Sequence, residues 1–193
     1  MAKRKGLTFY QKKKKLNMEL VKEILSWIFW IFVSMFIAIV LVYCVGMKTS
    51  VIGSSMEPVL YNGQEIFLNR IIYRVTSPKK GDVVVFLPNG NEKSHYYIKR
   101  VVGTPGDTLG VKNGILYVND EAIEEYFNDK IAEPGLLEET IELKTDEYFV
   151  IGDNCNSSED SRSANIGSIK KQHIIGKVWF KMAHGLSDMG FIE

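Results

Sequence analysis

Three short stretches carry side chains able to do acyl-transfer chemistry. The first is VIGSSMEPVL, Val51 to Leu60. Gly53 permits unusual backbone angles and Pro58 fixes a turn, so a serine between them can be held exposed on a loop. Composition does not separate Ser54 from Ser55, and an ordinary polar turn has the same composition. The second is YYIKRVVGTPGD, Tyr96 to Asp107. In a strand, Lys99 shares a face with Tyr97 and Val101, while Arg100 turns the other way with Ile98 and Val102. Alternation gives both cations apolar neighbours and does not choose between them. Chemistry does, because arginine keeps its proton in a protein and a desolvated lysine gives it up. To act as a base near pH 7–8, Lys99 needs a pKa about 2–3 units below its ordinary value, within reach of burial.

The third stretch is GDNCNSSEDSR, Gly152 to Arg162. It is too polar for a strand and too dense in Asp, Asn and Ser for an arbitrary linker. Asp153, Asp160 and Arg162 can form charge pairs, and the serines can hydrogen-bond a nearby base. A solvated turn is the plainer reading; a calcium loop is not, because the spaced acids and terminal glutamate are missing. His95, His173 and His184 show no metal-ligand spacing, and no phosphate-cradling glycine loop occurs. No metal or cofactor is expected.

The elements that must position these residues divide at the membrane. Ile24 to Met47 holds no charged residue and is long enough to cross a bilayer core of about 30 Å, with Trp27, Trp30 and Tyr43 towards its ends. A cleaved secretory signal would be shorter and would end in a small-x-small site; neither holds. Residues 1–23 carry eight basic and two acidic residues, or +6, so a total of +1 leaves −5 for residues 24–193. The basic head predicts a cytoplasmic N-terminus and an extracytoplasmic body, with Lys12 to Lys15 near anionic lipid headgroups. This asymmetry favours an interface over a nucleic-acid partner. The domain plan is therefore a basic segment over 1–23, an anchor over 24–47 and a body over 48–193. Cys44 and Cys155 fall in different environments, so no disulfide framework is expected.

The body reads as β. QEIFLNRIIYRV, VVVFLP, HYYIKRVVG, TLGVK, ILYVN, EYFVIG and HIIGKVWFKM are runs rich in β-branched and aromatic residues, separated by turn residues. Asn113-Gly114 marks a tight hairpin. A weak helical stretch is expected around Ala122 to Phe127. The fold class is mainly β: a single transmembrane helix, then an antiparallel barrel or sandwich-like body with a small cap inserted at about 107–146.

Together, the lysine-flanked anchor, SMEP, GDVVVF, YIKRVVGTPGD and GDNCNSSEDSR, in that order, resemble the type I signal peptidases, membrane-bound serine–lysine proteases. The single anchor and short insertion are more like the Gram-positive members. The resemblance implies Ser55 as nucleophile and Lys99 as general base, with Ser158 orienting the lysine. Asp153 and Arg162 would support the site, with Asp160 in the same loop. The Ser55 main-chain N–H would serve the oxyanion, and Gly53 stands where some members carry an oxyanion-hole hydroxyl. Cys155 and Asn156 stand where the family commonly has a basic residue and an acid, which bears on the charge network of this loop.

The resemblance further implies signal peptides of exported preproteins as substrates, small residues at −3 and −1 of the cut, and membrane lipids and the secretion machinery as partners. Met47 and Ser55 are eight residues apart, a reach of at most about 28 Å, so a substrate would be cut close to the bilayer. Four other readings predict differently. A Ser–His–Asp hydrolase needs a histidine coupled to Ser55, and a Cys155 transpeptidase survives Ser55→Ala. A tethered binding module tolerates Lys99→Met. A self-cleaving serine–lysine repressor would carry a DNA-binding segment in place of the anchor.

Overall fold

The computed structural model describes residues 17–192 except 92, 128, 186 and 187. The basic residues expected to set orientation, Lys3 to Lys15, lie outside the described residues. The described chain forms two compact units, divided between Leu41 and Val42.

The first unit is most of one helix, α1 (Met18–Val45). Within it Met18–Val40 is long and apolar enough to cross a membrane. Trp27, Phe29, Trp30 and Phe36 all project from it exposed. A helix that is apolar all round suits a lipid environment.

The second unit is built from antiparallel strands. β1 (Gly46–Ser50), β2 (Glu65–Asn69), β3 (Val83–Phe86) and β4 (Tyr97–Gly103) are followed by a second group, β5 (Thr108–Lys112), β6 (Ile115–Val118), β7 (Glu121–Ile123) and β8 (Ile141–Glu142). β9 (Glu147–Ile151), β10 (Ile169–Lys170), β11 (Ile174–Lys181) and β12 (Gly190–Phe191) complete it. The larger sheet runs β1-β2-β11-β3-β4-β9-β10, with β12 on β11; β7-β6-β5-β8 form a smaller sheet from residues 108–142. The protein is mainly β and antiparallel, as its turn-punctuated runs predict. Asn113 and Gly114 both take positive φ between β5 and β6, the geometry of a two-residue hairpin turn.

β3 explains the VVVF run. Val83 and Val85 enter one core with Val51, Met56, Leu60 and Leu68, while Val84 and Phe86 enter another with Val101, Tyr148 and Val150. A strand covered on both faces has no need of polar alternation. Each such side chain contributes roughly 1.5–3 kcal/mol by leaving water. A third core, with Leu109, Leu116, Leu137, Phe149 and Ile151, joins the smaller sheet to β9.

Two local expectations are corrected. Residues around Ala122 to Phe127 are not helical: β7 pairs Leu116 with Ile123 and Tyr117 with Ala122, and a turn follows. Sheet pairing overrides a weak helical preference over so short a stretch. QEIFLNRIIYRV is not one strand either. β2 ends at Asn69, whose side-chain oxygen accepts from the N–H groups of Ile71 and Ile72 and starts the short helix α2 (Ile72–Val75). Asparagine at this position offers the backbone an alternative to the sheet ladder.

Candidate active site

Ser55 sits on the loop between β1 and β2, held from both ends. Val51 N–H donates to Gln64 O and Gly63 N–H to Val51 O, which closes the loop at its base. Gly53 takes φ +88, and its N–H donates to Asn62 Oδ1 at 2.9 Å. Met56 and Leu60, on the far side of the serine, are buried in the core. An apolar anchor beside the serine fixes the backbone while the hydroxyl stays half-buried at the rim. The S-M-E-P order thus combines exposure of one side chain with burial of the next.

Lys99 comes from β4, opposite Val84 of β3. It is only 4% exposed, and its Nζ donates to Ser55 Oγ at 2.7 Å. Burial lowers its pKa from the ordinary value to about 8, against the opposing pull of the Asp160, Glu159 and Asp153 carboxylates. Desolvation wins because, among the described residues, no carboxylate makes a direct hydrogen bond or ion pair with the ammonium. The Tyr97 ring centroid lies 5.5 Å from Nζ, and the Tyr97 hydroxyl donates to Glu159 at 3.3 Å.

The loop 152–162 closes the site from β9. Asn154 N–H donates to Ser55 O at 3.1 Å, and the Asn154 side chain to Ser54 O at 3.2 Å. Gly152 packs so closely that an added Cβ would collide with Ser158 Oγ and with Ser55 O. Asp160 is the hub of this loop, accepting from Gly152 N–H, Ser158 Oγ and Arg162. The Arg162 guanidinium grips Asp160 through two nitrogens at 2.9 Å and also donates to the carbonyls of Cys155 and Glu133.

The structure brings Ser55, Lys99, Ser158, Asp153, Asp160 and Arg162 into one region, with one partner that differs from expectation. Ser158 makes no hydrogen bond to Lys99; it donates to Asp160 at 2.6 Å. Of the charge pairs open to the loop, Asp160 takes Arg162, and Asp153 pairs outside the loop with Arg100, through two bonds of 2.8 Å. Arg100, Gly152, Asn154 and Asn62 were missed as site-building residues. A buried arginine on a strand requires a carboxylate, and the acid-dense loop was the available signal for Arg100. Nothing local in the sequence marks Asn62.

A cleft of about 420 Å³ opens over Ser55 and Lys99, walled by Ile52, Met56, Tyr97, Ile98 and Glu159. β9 pairs with β4 only from Arg100 onward, so Tyr97, Ile98 and Lys99 are paired on the β3 side alone. Among the described residues, no acceptor takes the Ser55 N–H, whereas the Gly53 N–H is committed to Asn62. His95 borders the cleft without bonding to Ser55, and His173 and His184 lie against Gly90 and Gly63. Cys155 is buried, its thiol donates to Asp129 O at 3.5 Å, and burial raises its pKa. A thiol held protonated is a poor nucleophile.

A serine hydroxyl bonded to a desolvated amine is the pairing that defines serine–lysine hydrolases. Residues 24–183 match the family described as Signal peptidase, peptidase S26. The chain is 41% identical over 132 residues to Signal peptidase I P of Bacillus subtilis subsp. natto, covering 64% of this chain and 70% of that protein. It is 34% identical over 180 residues to Signal peptidase IB of Staphylococcus aureus (strain COL), covering 83% of this chain and 90% of that protein. A solved signal peptidase I from Enterococcus faecalis V583 aligns with a TM-score of 0.44 at 24% identity, over 53% of this chain and 97% of the other. The chain belongs to the signal peptidase family, peptidase S26.

Proposed function

We propose that this protein is a membrane-anchored endopeptidase that removes N-terminal signal peptides from exported preproteins. The observation that carries the mechanism is the 2.7 Å contact between Lys99 Nζ and Ser55 Oγ at a buried lysine whose pKa lies near 8. Neutral Lys99 takes the Ser55 proton as Oγ attacks the scissile carbonyl carbon. The unengaged Ser55 N–H receives the oxyanion. Lys99 passes the proton to the leaving amine nitrogen, and an ester to Ser55 remains. Water then attacks the ester, again giving its proton to Lys99, and the acid product leaves as Ser55 recovers its hydroxyl. Ser158, Asp160, Arg162, Asp153 and Gly53 are assigned supporting roles in holding the loops around this pair.

An extended substrate can add to β4 along the side that β9 leaves open, aligning its carbonyl with Ser55. The helix α1 anchors the chain, residues 1–23 remain in the cytoplasm, and the body from residue 48 lies outside. Membrane lipids and the secretion machinery that delivers preproteins are the partners this placement implies.

The test is cleavage of a purified preprotein in neutral detergent by the wild type, Ser55→Ala and Lys99→Met, with folding verified. Both variants are expected to lose at least about a thousandfold in kcat/KM. Cleavage by folded Ser55→Ala at the wild-type rate would refute the nucleophile assignment, and no cleavage by folded wild type would favour a tethered binding module.

A further inference from the structure

Away from the catalytic cleft, a cavity of about 460 Å³ is lined by Arg70, Tyr73, Arg74, Asp146, Lys171 and Gln172. Three cations converge there against one carboxylate. Among the described residues none of the three makes an ion pair; Lys171 has only a long 3.4 Å contact to Ser77 Oγ. Their neighbour Lys177 behaves differently and pairs with Asp82 at 2.6 Å. Residues 24–193 carry five more acids than bases, so an unpaired basic cluster runs against the composition of the body and calls for an anion from outside it.

The register of the sheet says where this cluster lies on the chain. Gly46 pairs with Asn69, the residue before Arg70. Gly46 follows the end of the candidate span at Val40 by only six residues, at most about 22 Å of chain. The cavity therefore belongs to the edge of the body where the chain arrives from α1. Guanidinium forks match phosphate oxygens two at a time, and cations near a bilayer are drawn to anionic headgroups.

We infer that this cavity binds the phosphate of an anionic phospholipid headgroup through Arg70, Arg74 and Lys171. The inference rests on the proposed reading of α1 as a membrane anchor.

The test uses the full chain in neutral detergent, titrated with phosphatidylglycerol or phosphatidylcholine, with retained lipid read by native mass spectrometry. The wild type is expected to prefer phosphatidylglycerol. Arg70→Gln/Arg74→Gln should weaken that retention roughly tenfold or more. Lys112→Gln/Lys130→Gln, an equal charge change in and beside the smaller sheet, should leave it unaltered. Preprotein cleavage by the Arg70/Arg74 variant in detergent should match the wild type, since neither arginine borders the cleft.

Unchanged retention by the arginine variant, equal loss in the lysine control, or equal retention of phosphatidylcholine would overturn the site. Displacement of the lipid by inorganic phosphate at equal concentration would reassign it to a soluble anion. Recovery of the chain in the aqueous fraction after alkaline extraction of membranes would overturn the anchor and this proposal together. Unchanged retention in an anchored, cleaving enzyme would overturn the lipid site alone.

Discussion

Lys99 and Arg100 are neighbours on β4, 4% and 6% exposed, yet the two faces of the strand treat their charges in opposite ways. On one face Arg100 is gripped by both oxygens of Asp153 and also donates to Gly81 O at 2.7 Å. On the other, Lys99 has no ion-pair partner among the described residues and meets a neutral hydroxyl. Burial with a matched carboxylate favours a charge, whereas burial without one makes the proton easier to release. The fold thus makes one cation structural and leaves the other free to exchange a proton.

The sharpest way to break this comparison is to delete each charge in turn. Arg100→Met leaves Asp153, itself 2% exposed, as a buried unpaired carboxylate. It is expected to lose about 3–5 kcal/mol of stability in denaturant unfolding of the body. Lys99→Met removes a desolvated amine without orphaning a buried charge, and the half-buried Ser55 hydroxyl it leaves can turn to water, so it should be as stable as the wild type or more so. Equal destabilisation of the two variants would erase the distinction between the faces.

A second, smaller effect sharpens it through pH. The fraction of Lys99 able to act as a base falls about tenfold per pH unit below its pKa near 8, and kcat/KM should follow with that slope. Stability should move in the same direction. Between about 8 and the ordinary value of 10.5, the unfolded chain holds a proton on Lys99 that the folded chain has released. Stability therefore rises with pH across that window, and the contribution is lost as pH falls through 8. The difference in unfolding free energy between wild type and Lys99→Met isolates this term. A pH-independent difference between them would place the Lys99 pKa back at its ordinary value.

The smallest effect belongs to Cys155. Its carbonyl serves Arg162, while among the described residues its thiol's one hydrogen bond is the long one to Asp129 O, within an apolar core. Cys155→Ala keeps the backbone acceptor, so cleavage should stay within about twofold of wild type, with roughly 1 kcal/mol lost in unfolding experiments. A large loss of turnover would move chemistry to the thiol and away from β4.

Much of this site was legible because its signals are local. An uncharged run long enough to span, a serine between glycine and proline, a lysine in an apolar strand and an acid-dense loop are each contained within about a dozen residues. The Asn113-Gly114 turn was readable for the same reason, since two positive φ values select those residue types. The misreadings at Ala122 to Phe127 and at Ile72 to Val75 came where sheet pairing or an asparagine side-chain turn overrode a weak local preference.

By itself the sequence determined the class of the fold and the choice of lysine over arginine as base, because side-chain chemistry and periodicity reside in the chain; between Ser54 and Ser55 only the family resemblance chose. Only the tertiary structure decided which carboxylate belongs to which cation. Asp153 lies 53 residues beyond Arg100, and the two meet because β9 pairs alongside β4. Lys99 likewise reaches Ser55, 44 residues away, only because the loop between β1 and β2 comes to β4 in the fold. Charge partners at such separations are set by strand order and register, which depend on how apolar faces pack across the whole sheet.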